Sequence, residues 1–434
     1  MAKESKEVSK QKDLCVLCMG PESEVGPLAR RKDGHGVCYM CAKIATDVFA
    51  KDPISRRAAE KLWEAMSEKG IRREEIPIPK DIFAHLSQHV IGQDHAKEVL
   101  AIACCEHLKS IYARKYHHPF PMKKKNVLMI GGTGVGKTEL ARSLADYLQV
   151  PFAIGDATTL TDAGYVGEDV ENLLLKLIHA ADFDMAAAQT GIIYIDEIDK
   201  LGKRTQNVST TRDVGGEGVQ QCLLKLMEGT MANVPSHAGR KHPEAQYIPM
   251  DTTNVLFICG GTFDGGGGSG RLEEIIRRRL GGRSIGFHQS QGFKEVELER
   301  DELRSLVTPD DLMEFGMIPE FVGRVPIVAP LHSLSVEHLV RILTEPVHSL
   351  VKQTCHSFRI SEVGLEFEDE ALWALAEQAH ELHTGARGLD SVVAKLMHKP
   401  HFEIDQYKGK VIKITKAIVA GEEEITPEEN KQAA

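Results

Sequence analysis

No stretch of about 18 apolar residues, the length a membrane-crossing helix needs, occurs in this sequence. Nor is there an opening that joins a basic segment to an apolar run and a small-residue cleavage site. The expected location is therefore the cytoplasm, with no membrane among the partners. Basic charge is also short: 53 Lys and Arg stand against 63 Asp and Glu, for a net charge of -10. Such a chain repels a phosphate backbone overall, so nucleic acid is not an expected partner unless a local basic face supplies the attraction. Aromatic residues make up only 6%, and no internal repeat is present. What remains, 42% hydrophobic and 27% charged residues, is ordinary for a soluble globular protein.

At 434 residues the chain exceeds one ordinary core, and roughly 150 residues per domain gives two to four folded units. Residues 1–13 read as a polar tail, 14–50 as a cysteine module and 51–79 as a linker with some helix over 55–69. From residue 80 the pattern changes. Short β-rich runs at 126–130, 191–195 and 254–259 alternate with longer helical segments, which predicts a parallel sheet flanked by helices over 80–331. Residues 332–417 carry apolar residues at i, i+3, i+4 spacing and predict a small, mainly helical domain. The acidic stretch 418–434 is expected to be a mobile tail. Glycine runs at 265–268 and 281–282 around Arg277, Arg278 and Arg279 read as an exposed loop.

Nine cysteines fall into two groups. Cys104, Cys105, Cys222, Cys259 and Cys355 are scattered and read as small buried hydrophobes. Cys15-x-x-Cys18 and Cys38-x-x-Cys41, nineteen residues apart, have the spacing of a tetrahedral zinc site. Four thiolates leave no open position, so one structural zinc per chain is expected, the alternative being disulfides. Residues 1–50 hold eight Lys/Arg and seven Asp/Glu, which is no basic footprint for nucleic acid.

Gly131-Gly132-Thr133-Gly134-Val135-Gly136-Lys137-Thr138 fits the phosphate-loop pattern, between the strand-like NVLMI and the helix-like ELARSLADYL. Its backbone amides cradle phosphate oxygens, Lys137 reaches the β and γ phosphates, and Thr138 offers a hydroxyl to Mg²⁺. Glu139, next along the helix, is counted with the nucleotide-binding residues. A second apolar run delivers Asp196 and Glu197 to its C-terminal end. Asp196 is expected to hold Mg²⁺ and Glu197 to orient and deprotonate the attacking water.

The order of phosphate loop, Asp196-Glu197-Ile198-Asp199, Ile318-Pro319-Glu320-Phe321-Val322-Gly323-Arg324 and Gly385-Ala386-Arg387-Gly388 resembles the AAA+ superfamily. From about residue 80 to 400 the wording is similar to the ClpX family of protein unfoldases. The resemblance implies a homohexamer that hydrolyses ATP with Mg²⁺ and pulls tagged proteins through a central pore into a ClpP-like peptidase. It assigns Arg324 as the finger reaching a neighbouring subunit's γ-phosphate and Arg387 as the sensor-2 arginine acting in cis. It places Val90 and Ile91, in Val90-Ile91-Gly92-Gln93, around the adenine. Gly164-Tyr165-Val166-Gly167 resembles the substrate-gripping pore loop, with Tyr165 and Val166 as the gripping pair. Arg240, Lys241 and His242 resemble the basic loop at the pore mouth, and residues 202–218 correspond to a second pore loop. Ile285-Gly286-Phe287 resembles the peptidase-docking tripeptide. The cysteine module is similar to the family's zinc domain, which dimerises and receives substrates and adaptors. Cys259-Gly260-Gly261 offers no polar group before Thr262, so the sensor-1 position stays unassigned. A nucleic-acid remodeller or an ATP-switched scaffold could use the same core; Tyr165, the docking tripeptide and the weakly charged cysteine module argue against the remodeller.

Overall fold

The structure, a computed structural model, describes residues 14–18, 21–25, 27–30, 36–44, 76–115, 122–161, 168–202, 216–235, 247–265, 271–281 and 300–429. It divides into two compact units: residues 1–75 with 112–121, and 76–111 with 122–434. The helix expected over 55–69 lies outside the described residues.

In the first unit, β1 (Leu28–Arg30) pairs antiparallel with β2 (Gly36–Cys38), with Leu28 opposite Cys38. Among the described residues, its buried apolar cluster consists of Cys15, Leu28 and Cys38. A core that small cannot hold a fold by burial alone, so it needs another source of stability.

The second unit holds a five-stranded parallel sheet in the order β7–β3–β6–β5–β4. The strands are β3 (Val127–Ile130), β4 (Phe152–Asp156), β5 (Ile192–Asp196), β6 (Leu256–Gly261) and β7 (Ile327–Pro330). The three β-rich runs of the sequence are β3, β5 and β6, shifted by one or two residues. Alternate side chains point to opposite faces of a strand. Leu128, Ile130, Ile193, Ile195 and Phe257 accordingly enter one core, while Val127, Met129, Ile192, Tyr194 and Ile258 enter the other. Both faces are covered, which is why these strands read as near-continuous apolar runs.

Helix α1 (Pro79–His89) opens this unit, with Pro79 at its first turn, where a missing N–H costs nothing. Helix α2 (Lys137–Leu148) follows the phosphate loop and buries Leu140, Ala141, Leu144 and Ala145. Beyond β6 come α3 (Leu272–Gly281), α4 (Arg300–Ser305) and α5 (Pro319–Arg324).

After β7 the chain forms α6 (Val336–Thr344), α7 (Leu350–Ile360), α8 (Asp369–Glu381) and α9 (Arg387–Phe402) around a separate core that includes Leu339, Leu343, Phe358, Leu375 and Val393. Strand β8 (Gly364–Phe367) runs parallel to β9 (Lys410–Ile414). The tail expected from 418 differs from that expectation. Strand β10 (Pro427–Glu429) pairs antiparallel with β9, placing Pro427 opposite Ile412. Ile418, Val419 and Ile425, apolar residues among the acidic ones, pack on the small-domain core and hold the segment there.

Candidate functional site

Strand β3 ends in the phosphate loop, and α2 begins at its lysine. Gly134 has φ +69°, a left-handed conformation that L side chains rarely adopt, and a Cβ there would lie 2.2 Å from the carbonyl oxygen of Thr384. The loop therefore makes its turn while touching the segment that leads into α9. Lys137 is buried, and its Nζ donates to the carbonyls of Gly131 at 2.8 Å and Gly132 at 2.7 Å. Burial pulls its ammonium below the usual lysine range, while nearby Asp196 and Asp199 oppose that shift.

Asp196 closes β5, and Glu197 follows in the left-handed region with φ +55°. A non-glycine residue there carries strain that surrounding structure must hold, a pattern that concentrates at functional sites. Asp196 Oδ1 accepts from the Tyr194 hydroxyl at 3.1 Å and from the Glu197 amide at 3.0 Å. Burial first, and then Asp196, push the Tyr194 hydroxyl upward, so it stays a proton donor that fixes the carboxylate. Gly260 on the neighbouring strand leaves room for this tyrosine: a Cβ would lie 2.2 Å from its hydroxyl oxygen.

A cavity of about 540 Å³ is lined by Thr133, Gly134, Gly136, Lys137, Thr138, Glu139, Asp196, Glu197 and Arg387. The phosphate loop, both acids and the expected sensor-2 arginine thus share one space. Arg387 is the first residue of α9, and the preceding Ala386 amide donates 2.9 Å to the Gly134 carbonyl.

Two polar residues not assigned from the sequence belong to the same construction. Thr262 lines the cavity just past β6; its amide donates to Asp199 Oδ1 at 3.2 Å and its hydroxyl to Oδ2 at 3.4 Å. The polar group missing from Cys259-Gly260-Gly261 arrives one residue later, bound to the second aspartate of Asp196-Glu197-Ile198-Asp199. Gln93 is the other. Its Nε2 donates to the carbonyls of Val135 at 3.3 Å and His332 at 2.7 Å, and its Oε1 accepts from the His332 amide at 2.9 Å. One side chain therefore ties the phosphate loop to the junction with the small domain.

Val90 and Ile91 are buried, and Val90 Cγ1 would lie 3.3 Å from a Cβ on Gly136. Val90 thus backs the loop, while the neighbouring His89 is among the residues that line the cavity. Arg324 is not among the residues lining it. The guanidinium of this half-exposed residue instead pairs with Glu228 at 2.5 Å. Tyr165, Val166, Arg240, Lys241, His242, Ile285, Gly286 and Phe287 lie outside the described residues, as does most of 202–218.

In the first unit, the sulfurs of Cys15, Cys18, Cys38 and Cys41 all lie within 4.8 Å of one another. The Cys38 amide donates to Cys15 Sγ at 3.3 Å, and amides at Cys18 and Cys38 hold the Cys15 thiol down at about 6. Four converging sulfurs fit a tetrahedral zinc ion. Among the described residues, no helix is long and apolar enough to cross a membrane.

Comparison with known proteins agrees with this construction. Residues 122–328 match the AAA domain (Cdc48 subfamily), and residues 334–404 match the C-terminal, D2-small domain of ClpB protein. The ATP-dependent Clp protease ATP-binding subunit ClpX of Treponema denticola is 44% identical over 401 residues, covering 92% of this chain and 91% of the relative. The proteins of that name from Borrelia duttonii and Borrelia recurrentis are each 45% identical over 404 residues, covering 93% of this chain and 90% of theirs. With identity at this level over 92–93% of the chain, the chain belongs to the ClpX family of AAA+ ATPases.

Proposed function

We propose that this ATPase unfolds proteins and threads them through the pore of a homohexamer into a ClpP-like peptidase. The observation that carries the proposal is the single cavity in which Lys137, Asp196, Glu197 and Arg387 meet across the two domains of the ATPase unit. Nucleotide held there contacts both domains, so a change in its phosphate chain can move one against the other.

Each residue has a defined task in this reading. The amides of residues 131–136 and Lys137 grip the phosphates, and Glu139 stands beside them. Thr138 and Asp196 would hold a magnesium ion, which supplies positive charge to the phosphates. Glu197 takes the proton of the attacking water, and Thr262, anchored by Asp199, positions that water or the γ-phosphate. Arg387 contacts nucleotide in cis. Arg324 leaves Glu228 to reach a neighbouring subunit's γ-phosphate, for which a bidentate, permanently charged guanidinium is suited.

Tyr165 and Val166 would grip the polypeptide, with Arg240, Lys241 and His242 at the pore mouth. Ile285, Gly286 and Phe287 would dock on the peptidase. The cysteine module, holding one zinc, would dimerise and receive substrates and adaptors. The relatives' name, ATP-binding subunit of the ATP-dependent Clp protease, supports the peptidase partner. ATPase assays with added polypeptide or added DNA test the reading. Stimulation by an unfolded protein alone is expected; stimulation by DNA alone would replace it with a nucleic-acid remodeller.

A further inference from the structure

Arg304, on α4, does not line the nucleotide cavity, yet it is a buried cation lying against the loop that does. A Cβ on Gly132 of the phosphate loop would lie 3.9 Å from its Nη1. Its Nη2 reaches the Thr262 carbonyl at 3.5 Å, on the residue whose amide and hydroxyl donate to Asp199. One guanidinium therefore spans the loop that grips the phosphates and the residue that faces the γ-phosphate in the reading above. Its charge is also felt in the cavity. After burial, which contributes most, Arg304 is among the groups that hold the Lys137 ammonium below its usual range.

A buried charge needs compensation, and three carboxylates supply it. Nη2 lies 3.0 Å from Asp264 and 2.7 Å from buried Glu273, while Nη1 lies 3.9 Å from Asp301. Arg300 holds Asp264 at 2.9 Å, and Asp301 accepts from the Ser333 amide at 2.7 Å. The carboxylates are thus themselves fixed, one of them to the segment that leaves β7 for the small domain.

Were neutralising Glu273 the whole task, the guanidinium would meet it with two parallel hydrogen bonds. Instead the Glu273 contact is a close ion pair without hydrogen-bond geometry, and Arg304 Nε has no hydrogen-bond partner among the described residues. Nη2 is divided between the carboxylates and the Thr262 carbonyl, and Nη1 lies against the loop. The acids hold the arginine from one side, and on the other it touches the walls of the nucleotide site.

We propose that Arg304 is a positioning residue for ATP hydrolysis, setting Thr262 against the phosphate loop at the spacing that cleavage of the γ-phosphate requires. It acts through the Thr262 backbone rather than on the nucleotide. This rests on the reading that ATP binds at the phosphate loop with Thr262 beside its γ-phosphate.

Steady-state hydrolysis, equilibrium ATP binding and thermal unfolding of the full chain test the assignment in a cycle with Thr262→Val. Arg304→Met is combined with Glu273→Gln, so that no buried carboxylate is left without its cation. This pair variant should unfold close to the wild-type temperature and bind ATP within about threefold of the normal affinity. Its kcat should fall about tenfold, the scale of a small misplacement at a reacting centre. In the Thr262→Val background the same pair of changes should cost less than about twofold, because the group that Arg304 positions is already gone. A pair variant with the wild-type kcat would show that Arg304 only neutralises Glu273, and would overturn the proposal. An equal loss in both backgrounds would overturn it too, as would a pair variant unfolding far below the wild type, since either places the effect in the fold. If Thr262→Val alone hydrolyses ATP at the wild-type rate, it is the placement of Thr262 beside the γ-phosphate that falls, and the role of Arg304 falls with it.

Discussion

The amide of Ala386 donates a 2.9 Å hydrogen bond to the carbonyl of Gly134, fastening the start of the small domain's α9 to the middle of the phosphate loop. Gly385, beside it, has φ +61°, and a Cβ there would sit 2.6 Å from the carbonyl oxygen of Thr133. Gly385→Ala therefore has to push the two segments apart while paying about 1–2 kcal/mol for the left-handed backbone. The expected result is at least about a tenfold loss of ATP turnover, because a small displacement at a reacting centre is costly. Steady-state hydrolysis beside thermal unfolding measures both effects. Hydrolysis at the wild-type rate would show that this contact does not matter.

Glu197→Gln should bind ATP with near-normal affinity and turn it over at a small fraction of the wild-type rate. The amide keeps the shape but cannot accept the water's proton. Lys137→Ala should lose nucleotide affinity instead, since it removes the cation buried against the loop. Equilibrium binding and turnover, measured on both variants, distinguish the two; a Glu197→Gln enzyme with normal turnover would remove Glu197 from its role.

Much of this centre is readable from the chain because its parts are local. Lys137 and Thr138 sit inside one eight-residue pattern, and Asp196 and Glu197 end one apolar strand. What could not be read is what distant segments bring. Ala386 and Gly134 lie far apart in sequence, and nothing local in Gly385-Ala386-Arg387-Gly388 says which loop it will touch. Thr262 is not legible as a site residue because its place depends on Asp199, a partner in the short turn that follows another strand. Gln93 belongs to a motif expected to hold adenine through its apolar members, yet its amide clamps Val135 and His332. The last strand was hidden by composition: acidic residues dominate beyond 418, and the sparse Ile418, Val419 and Ile425 dock it.

Arg324, paired with Glu228 in its own chain, does not line its own cavity. Arg324→Ala should spoil hydrolysis while leaving ATP binding largely intact. Mixing it with Lys137→Ala subunits should restore part of the activity, because a binding-competent subunit can then face an intact finger. Absence of rescue at every mixing ratio would argue that Arg324 does not act between subunits.

Among the described residues of the cysteine module only Cys15, Leu28 and Cys38 form a buried apolar cluster, so its fold should depend on metal. One zinc per chain is expected by elemental analysis of reduced protein. Cys15→Ser, or a strong chelator, should abolish the module's folded signal while basal ATP hydrolysis continues. Protein that folds this module with no bound metal would refute the assignment.

The central claim is that ATP turnover pulls on protein. The most direct measurement follows the fluorescence of a stably folded fluorescent protein carrying an unstructured tag, mixed with this chain and ATP. A peptidase or a trap is present to prevent refolding. The account predicts loss of fluorescence that requires ATP and the tag, disappears with Glu197→Gln, and weakens in Tyr165→Ala although that variant still hydrolyses ATP. Sustained ATP hydrolysis with no loss of fluorescence, for tagged substrates of progressively lower stability, would contradict it.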